Sequence, residues 1–228
     1  MRVILLAAGL GTRLRPLTDT TPKCLVPING KPLLEIWLER LTQAGMGPFL
    51  INTHYLSEQV EKFVVSSPYK DQVTLVHEPE LRGTAGTLIE NLNFFQSQDG
   101  MLIHADNYCL ADLSAFKQAH SDRPIECLIT MMTFRTNDPS ACGIVELDNR
   151  GVVIGFNEKV FNPPGNLANG AIYTLSTEVL KKLSSDLYNA KDFSTEVLHR
   201  FMGKIYAYET TEIFIDIGTI DNYNKAKT

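Results

Sequence analysis

The chain has 228 residues, of which 44% are hydrophobic and 21% charged, and a formal net charge of −5. That length suits one domain able to bury a sizeable core, and the acidic balance argues against a general nucleic-acid binder while leaving room for a small anionic ligand held by local cations. Four cysteines, Cys24, Cys109, Cys127 and Cys142, include no C-x-x-C pair and no accompanying His cluster, so neither a structural zinc site nor a disulfide framework is expected. The apolar run over residues 3–8 is too short for a signal peptide or a membrane span, and a cytoplasmic protein without a membrane partner is expected.

Residues 2–6 read as a buried strand. Residues 32–44 (PLLEIWLERLTQA) read as an amphipathic helix with proline near its start and Gly45 after it. Strands over 48–52, 73–76, 100–104 and 126–133 then alternate with helical patterns over 56–65, 84–95 and 111–119. This alternation predicts a three-layer α/β/α Rossmann-like fold with a mixed, mostly parallel sheet. Beyond residue 135 the pattern changes. A hairpin is expected from 143–147 and 152–156 around the turn DNRG. A proline-rich loop follows (FNPPGN), then a strand at 171–175, helices at 176–183 and 194–202, strands at 205–209 and 213–215, and a closing helix at 219–226. A single domain is expected, with a first half to about residue 135 that binds one ligand and a second half, 136–228, built on the same sheet.

After the first strand comes Gly9-Leu10-Gly11. The dinucleotide fingerprint requires a third glycine where Leu14 stands, and the Walker pattern is absent, so a standard Rossmann or P-loop site is disfavoured. Pro16 and Pro22 interrupt any helix from Gly11 onward. The small residues Ala7, Ala8, Gly9 and Gly11 let backbone N–H groups approach a ligand, and the loop carries Arg13, Arg15 and Lys23. Three cations on such a loop suit a triphosphate better than they suit solvent. Lys31 is either a further cation or a surface residue.

These residues carry a resemblance. LAAGLGTRLRPLT followed by TPKCLVP and GKPLLE is similar to the signature of the sugar-1-phosphate nucleotidyltransferases. Further matches follow in the family's order. Glu78 to Gly86 (EPELRGTAG) resembles its base-reading turn, with Gly83 kept and Thr84 a candidate helix cap. Ile103 to Asn107 (IHADN) places Asp106 after an apolar strand, where ligands of open α/β sheets sit. CGIVELD opens a hairpin at Gly143, with Cys142 where the family has an aromatic residue. FNEK carries Glu158 and Lys159, NGAIY carries Asn169 and Gly170, and FIDIGT carries Asp216.

The resemblance implies an enzyme that joins an NTP and a sugar 1-phosphate into an NDP-sugar and pyrophosphate. It implies Mg²⁺ on Asp106 and Asp216, with Arg13 and Lys23 on the leaving pyrophosphate as the other catalytic groups. It implies nucleotide contacts from Leu6, Ala7, Ala8, Gly9, Gly11, Thr12, Arg13, Glu78, Gly83, Thr84 and Asp106. Sugar-phosphate contacts would come from Asn107, Gly143, Glu158, Lys159, Asn169 and Gly170. Within the family the GTAG turn and the segment DFSTEVLHRF look most like guanylyltransferases of mannose- or manno-heptose 1-phosphate. A MurNAc-1-phosphate uridylyltransferase, a phosphocholine cytidylyltransferase and a non-catalytic nucleotide-sugar-binding subunit are the alternatives. A monomer or small homo-oligomer is expected, without the C-terminal left-handed β-helix of longer relatives.

Overall fold

A computed structural model describes residues 1–227. Its first half contains β1 (Arg2–Leu6), a short ribbon of β2 (Pro27–Ile28) and β3 (Lys31–Pro32), α1 (Leu33–Gln43), β4 (Phe49–Thr53), α2 (Ser57–Ser66), β5 (Val73–His77), α3 (Gly83–Glu90) and β6 (Gly100–His104). Strands β6, β1, β4 and β5 lie side by side and parallel. The alternation within β1 shows why it is central. Val3 and Leu5 enter the core on one face and Ile4 the core on the other, all fully buried. A parallel strand covered by helices on both faces reads as such a continuous apolar run. Helix α1 buries Leu33, Leu34, Trp37, Leu38 and Leu41, a spacing that places them on one helical stripe.

The second half adds β7 (Asn107–Cys109), α4 (Leu113–Asp122), β8 (Ile129–Arg135), β9 (Gly143–Leu147), β10 (Val153–Glu158), β11 (Leu167–Leu175) and α5 (Thr177–Ser185). A wide helical turn (Phe193–Val197), β12 (Ile205–Glu209), β13 (Phe214–Asp216) and α6 (Ile220–Lys225) complete it. Strand β11 runs antiparallel to β6 on one side and to β8 on the other, which makes the sheet mixed. Its pairing with β8 breaks between Asn169 and Tyr173. Ala171 sits there at φ 51, and the Asn169 carboxamide closes the irregularity by accepting from Ala171 N and donating to the Tyr173 hydroxyl. The bulge re-aims this end of β11, where the hairpin β9–β10 joins through Ala168 and Ile144. The expected α/β/α class and the 143–158 hairpin are both present.

The opening loop forms no α-helix: three single 3₁₀ turns span Thr12–Leu14, Leu17–Asp19 and Lys23–Leu25, short enough to fit between the prolines. Two sequence expectations are corrected. The helix expected over 84–95 is α3 followed by a separate 3₁₀ turn, Leu92–Phe95. The one expected over 194–202 is the wide turn and a further 3₁₀ turn.

Phe95 folds back onto the start of β6, where a Cβ on Gly100 would lie 2.0 Å from its ring. Gly100→Ala is therefore expected to overpack this site and to cost about 1–3 kcal/mol in denaturant unfolding. The penalty should shrink in a Phe95→Leu background, where the ring is gone.

Candidate active site

Two aspartates far apart in sequence meet through a ribbon. β13 pairs antiparallel with β7, and the register sets Asp216 opposite Asn107, one residue from Asp106. Trp37 on α1 donates its indole N–H to the Asn107 carbonyl at 2.9 Å, and Asn107 donates its side chain to the Gly170 carbonyl. The loop bearing Asp106 is thus fixed from below by α1 and from the side by the β11 bulge.

Lys23 reaches both carboxylates. Its ammonium lies 2.6 Å from Asp106 Oδ2 and 3.7 Å from Asp216 Oδ1; the lysine is 7% exposed, the aspartate side chains 39% and 50%. Burial pushes the Asp106 carboxyl up, but the Lys23 charge, the nearby His104 and the Lys23 hydrogen bond outweigh it, leaving the pKa below the ordinary value. Arg13 stands over the same point, because a Cβ on Gly218 would lie 2.8 Å from Arg13 Nη2 and 3.0 Å from Asp216 Oδ1. Asp216 accepts from the Gly218 N–H, and the cap of α6 is Thr219. Asp216 is therefore not a helix cap and its second oxygen stays available.

Two cavities meet at this cluster. The first, about 210 Å³, is lined by Leu6, Ala8, Gly9, Asn52, Glu78, Leu81, Gly83, Thr84, Thr87, His104 and Asp106. Its floor is a buried polar network. Glu78, 1% exposed, accepts from Asn52, Thr87 and the Arg82 N–H, and Asn52 in turn accepts from the Ala7 N–H at 2.7 Å. The Ala7 amide is committed to Asn52 and is not a free phosphate donor. Ala7, Gly11 and Thr12 lie outside the lining of both cavities. Gly11, at φ 64, instead braces the loop by accepting from the Thr18 hydroxyl.

The second cavity, about 490 Å³, holds Arg13, Asp106, Asn107, Gly143, Glu158, Lys159, Asn169, Gly170 and Asp216 together with Cys142, Phe134 and Phe214. The two phenylalanines stack at 4.3 Å and offer an apolar surface beside the polar groups. A Cβ on Gly143 would lie 2.5 Å from Glu158 Oε2 and 2.7 Å from Phe156, so only glycine lets Glu158 stand against that strand. Much of the Asn169 side chain is occupied by the bulge, leaving one amide N–H for a ligand. Lys31 pairs with Glu39 on α1 and joins neither cavity.

Thr84 does not cap α3. Its hydroxyl accepts from Phe193 N and lies 3.2 Å from Asp192 Oδ2, tying the turn at Gly83 to the wide helical turn of the second half. Asp192, Ser194, Thr195 and His104 line the second cavity and were not singled out from sequence. The DFSTEVLHRF stretch was the available signal, but only the fold brings it against Thr84.

Residues 2–228 match the model of the nucleotidyl transferase family. The chain belongs to that family. Within it this is a sugar-1-phosphate nucleotidyltransferase. The chain is 29% identical to a D-glycero-alpha-D-manno-heptose 1-phosphate guanylyltransferase from Campylobacter jejuni, over 98% of this chain and 97% of that one. It is 32% identical to the mannose-1-phosphate guanylyltransferase catalytic subunit beta of Drosophila melanogaster, over 95% of this chain but 59% of that protein. The crystal structure of HddC from Yersinia pseudotuberculosis complexed with GMP-PN superposes with a TM-score of 0.81 at 26% identity, covering 99% of this chain and 97% of that one. A Bacillus anthracis structure at 21% identity, TM-score 0.86, shares the fold. Among the described residues no helix is long and apolar enough to cross a membrane.

Placing a methyl group on Gly143 tests the pocket's construction. Gly143→Ala should displace Glu158, raise KM for the sugar 1-phosphate roughly tenfold, and leave nucleotide binding within about twofold. Equal losses on both substrates would show that the two cavities are not separable in this way.

Proposed function

We propose that this nucleotidyltransferase binds GTP in the smaller cavity and a manno-heptose or mannose 1-phosphate in the larger one, and releases pyrophosphate on joining them. The observation that carries this reading is the Lys23–Asp106–Asp216 cluster placed where the two cavities meet. The match to the Campylobacter enzyme along nearly its whole length favours the manno-heptose type, whereas the chain spans about 60% of the mannose enzymes' length. The smaller cavity is built from residues of the first half alone and the hairpin wall from the second, which supports a nucleotide-binding half to about residue 135 and a sugar-binding half after it.

The donor set suits Mg²⁺. Two carboxylates without His or Cys are hard ligands, and Mg²⁺ is commonly held by one or two carboxylates plus substrate phosphates. Among the described residues no group of three or more His, Cys, Asp or Glu is placed to hold a metal by protein alone, consistent with a site completed by substrate. Asp106 and Asp216 would hold Mg²⁺, which would supply positive charge against that of the substrate phosphates.

The chain's own groups account for the rest. The attacking phosphate oxygen is already an anion at neutral pH, so the residues need supply no general base. Lys159, at the mouth of the hairpin, aims that phosphate at the α-phosphorus, and Glu158 accepts from sugar hydroxyls. Arg13 over the cluster and Lys23 beneath it take up negative charge as it builds on the leaving pyrophosphate. Catalysis is then mostly positioning and charge neutralisation.

Pyrophosphate release should be measured against a matrix of four NTPs and mannose-, manno-heptose-, glucose- and MurNAc 1-phosphate, with and without Mg²⁺. GTP with a manno-configured sugar and Mg²⁺ is expected to dominate, and chelation to abolish release. Asp106→Asn and Arg13→Ala should each lower turnover roughly 10²–10³-fold with the fold intact. Near-normal turnover by either variant would remove its assigned role, and release with UTP alone would overturn the choice of base.

A further inference from the structure

His104 is the residue that both cavities share with Asp106. It ends β6, two positions before the aspartate. Its Nε2 is buried and has no hydrogen-bond partner among the described residues. Buried polar atoms in native proteins are rarely left so, and each exception calls for a reason. Asp192 lines the larger cavity together with His104. Its Oδ1 accepts from the Thr195 N–H and hydroxyl, while its Oδ2 meets only the Thr84 hydroxyl, at 3.2 Å. A carboxylate oxygen accepts two bonds readily, so Oδ2 has capacity left.

On this proposed reading of the site, we infer that His104 and Asp192 together bind one substrate hydroxyl at the junction of the two cavities, and thereby act as specificity residues. The group must be neutral, because a phosphate there would face the carboxylates of Asp192 and Asp106, both in the lining of the larger cavity. It must also donate, because Asp192 can only accept, whereas His104 offers a ring nitrogen as donor or acceptor. A hydroxyl can bond both groups, and an apolar carbon can bond neither. The position is doubly held. Asp192 is fixed by its turn, and Thr84 receives the Phe193 N–H at 2.7 Å, while the Ala85 N–H bonds the Lys191 carbonyl at 3.0 Å. The pair is therefore pre-organised, and a substrate lacking the hydroxyl would leave the buried His104 Nε2 without a bond.

The hydroxyl belongs either to the ribose or to the sugar. Calorimetric binding separates the two and does not depend on turnover. The probes are GTP, 2′-deoxy-GTP and 3′-deoxy-GTP, and mannose 1-phosphate with its 2-, 3-, 4- and 6-deoxy analogues. Wild type, His104→Phe and Asp192→Asn are compared. In wild type one analogue in one of the two series is expected to bind roughly tenfold or more weakly than its parent. In His104→Phe and in Asp192→Asn that penalty should fall to about twofold or less, because the removed group no longer has a partner to leave unmet. Asp192→Asn keeps the side-chain shape and so serves if the phenylalanine variant misfolds. Penalties unchanged in both variants, no penalty in wild type, or no binding of any parent overturns the inference. Failure of the proposed reaction shows separately, as absent pyrophosphate release while the binding penalties persist.

Discussion

One buried ammonium holds the site together. Asp216 on β13 and Asp106, one residue before β7, are brought together by the pairing of those strands, and like charges brought together repel. Lys23 lies against both and converts a repulsive pair into a compact triad. Removing it would leave two half-exposed carboxylates facing each other with no ammonium between them. The long loop after β1 follows from this requirement. A regular helix starting at Gly11 would carry its residues away from the strand ends, whereas three short turns bring Lys23 back beneath Asp106.

Close approach is the second constraint. Gly218 lets Arg13 lie over Asp216, Gly143 lets Glu158 stand against its strand, and Gly83, at φ 81, sits where a Cβ would lie 2.3 Å from the Lys191 carbonyl. Each glycine marks a place where two elements of the site touch without an intervening side chain. The third contact joins the two halves: the turn that edges the smaller cavity is bonded through Thr84 and Ala85 to residues 191–193, which edge the larger. The walls of the two cavities are therefore bonded to each other across the two halves of the chain.

Much of this was legible in the sequence. The α/β class follows from alternating apolar runs and amphipathic stretches, and the hairpin from its turn residues, because these are local signals. The resemblance drew together Arg13, Lys23, Asp106, Glu158, Lys159 and Asp216, and the structure gathers all six around the larger cavity or its floor. What sequence did not yield are contacts between distant segments. The β7–β13 register, the Trp37 bond to Asn107 and the burial of Glu78 under Asn52 depend on pairing no local pattern records. The bond from the Ala7 amide to Asn52 was not legible for the same reason, since its partner lies 45 residues away. His104 and Asp192 carry no local signal, because a lone histidine or aspartate near a strand end or turn is ordinary until its neighbours are known.

In the proposed function Asp106 and Asp216 would hold a divalent cation together with substrate phosphates. Electron paramagnetic resonance of Mn²⁺, as a paramagnetic stand-in for Mg²⁺, tests this directly in the presence of a non-hydrolysable GTP analogue. Tight Mn²⁺ binding is expected that requires the nucleotide and is lost in both Asp106→Asn and Asp216→Asn. Mn²⁺ binding that persists in the two variants, or that is indifferent to the nucleotide, would contradict it.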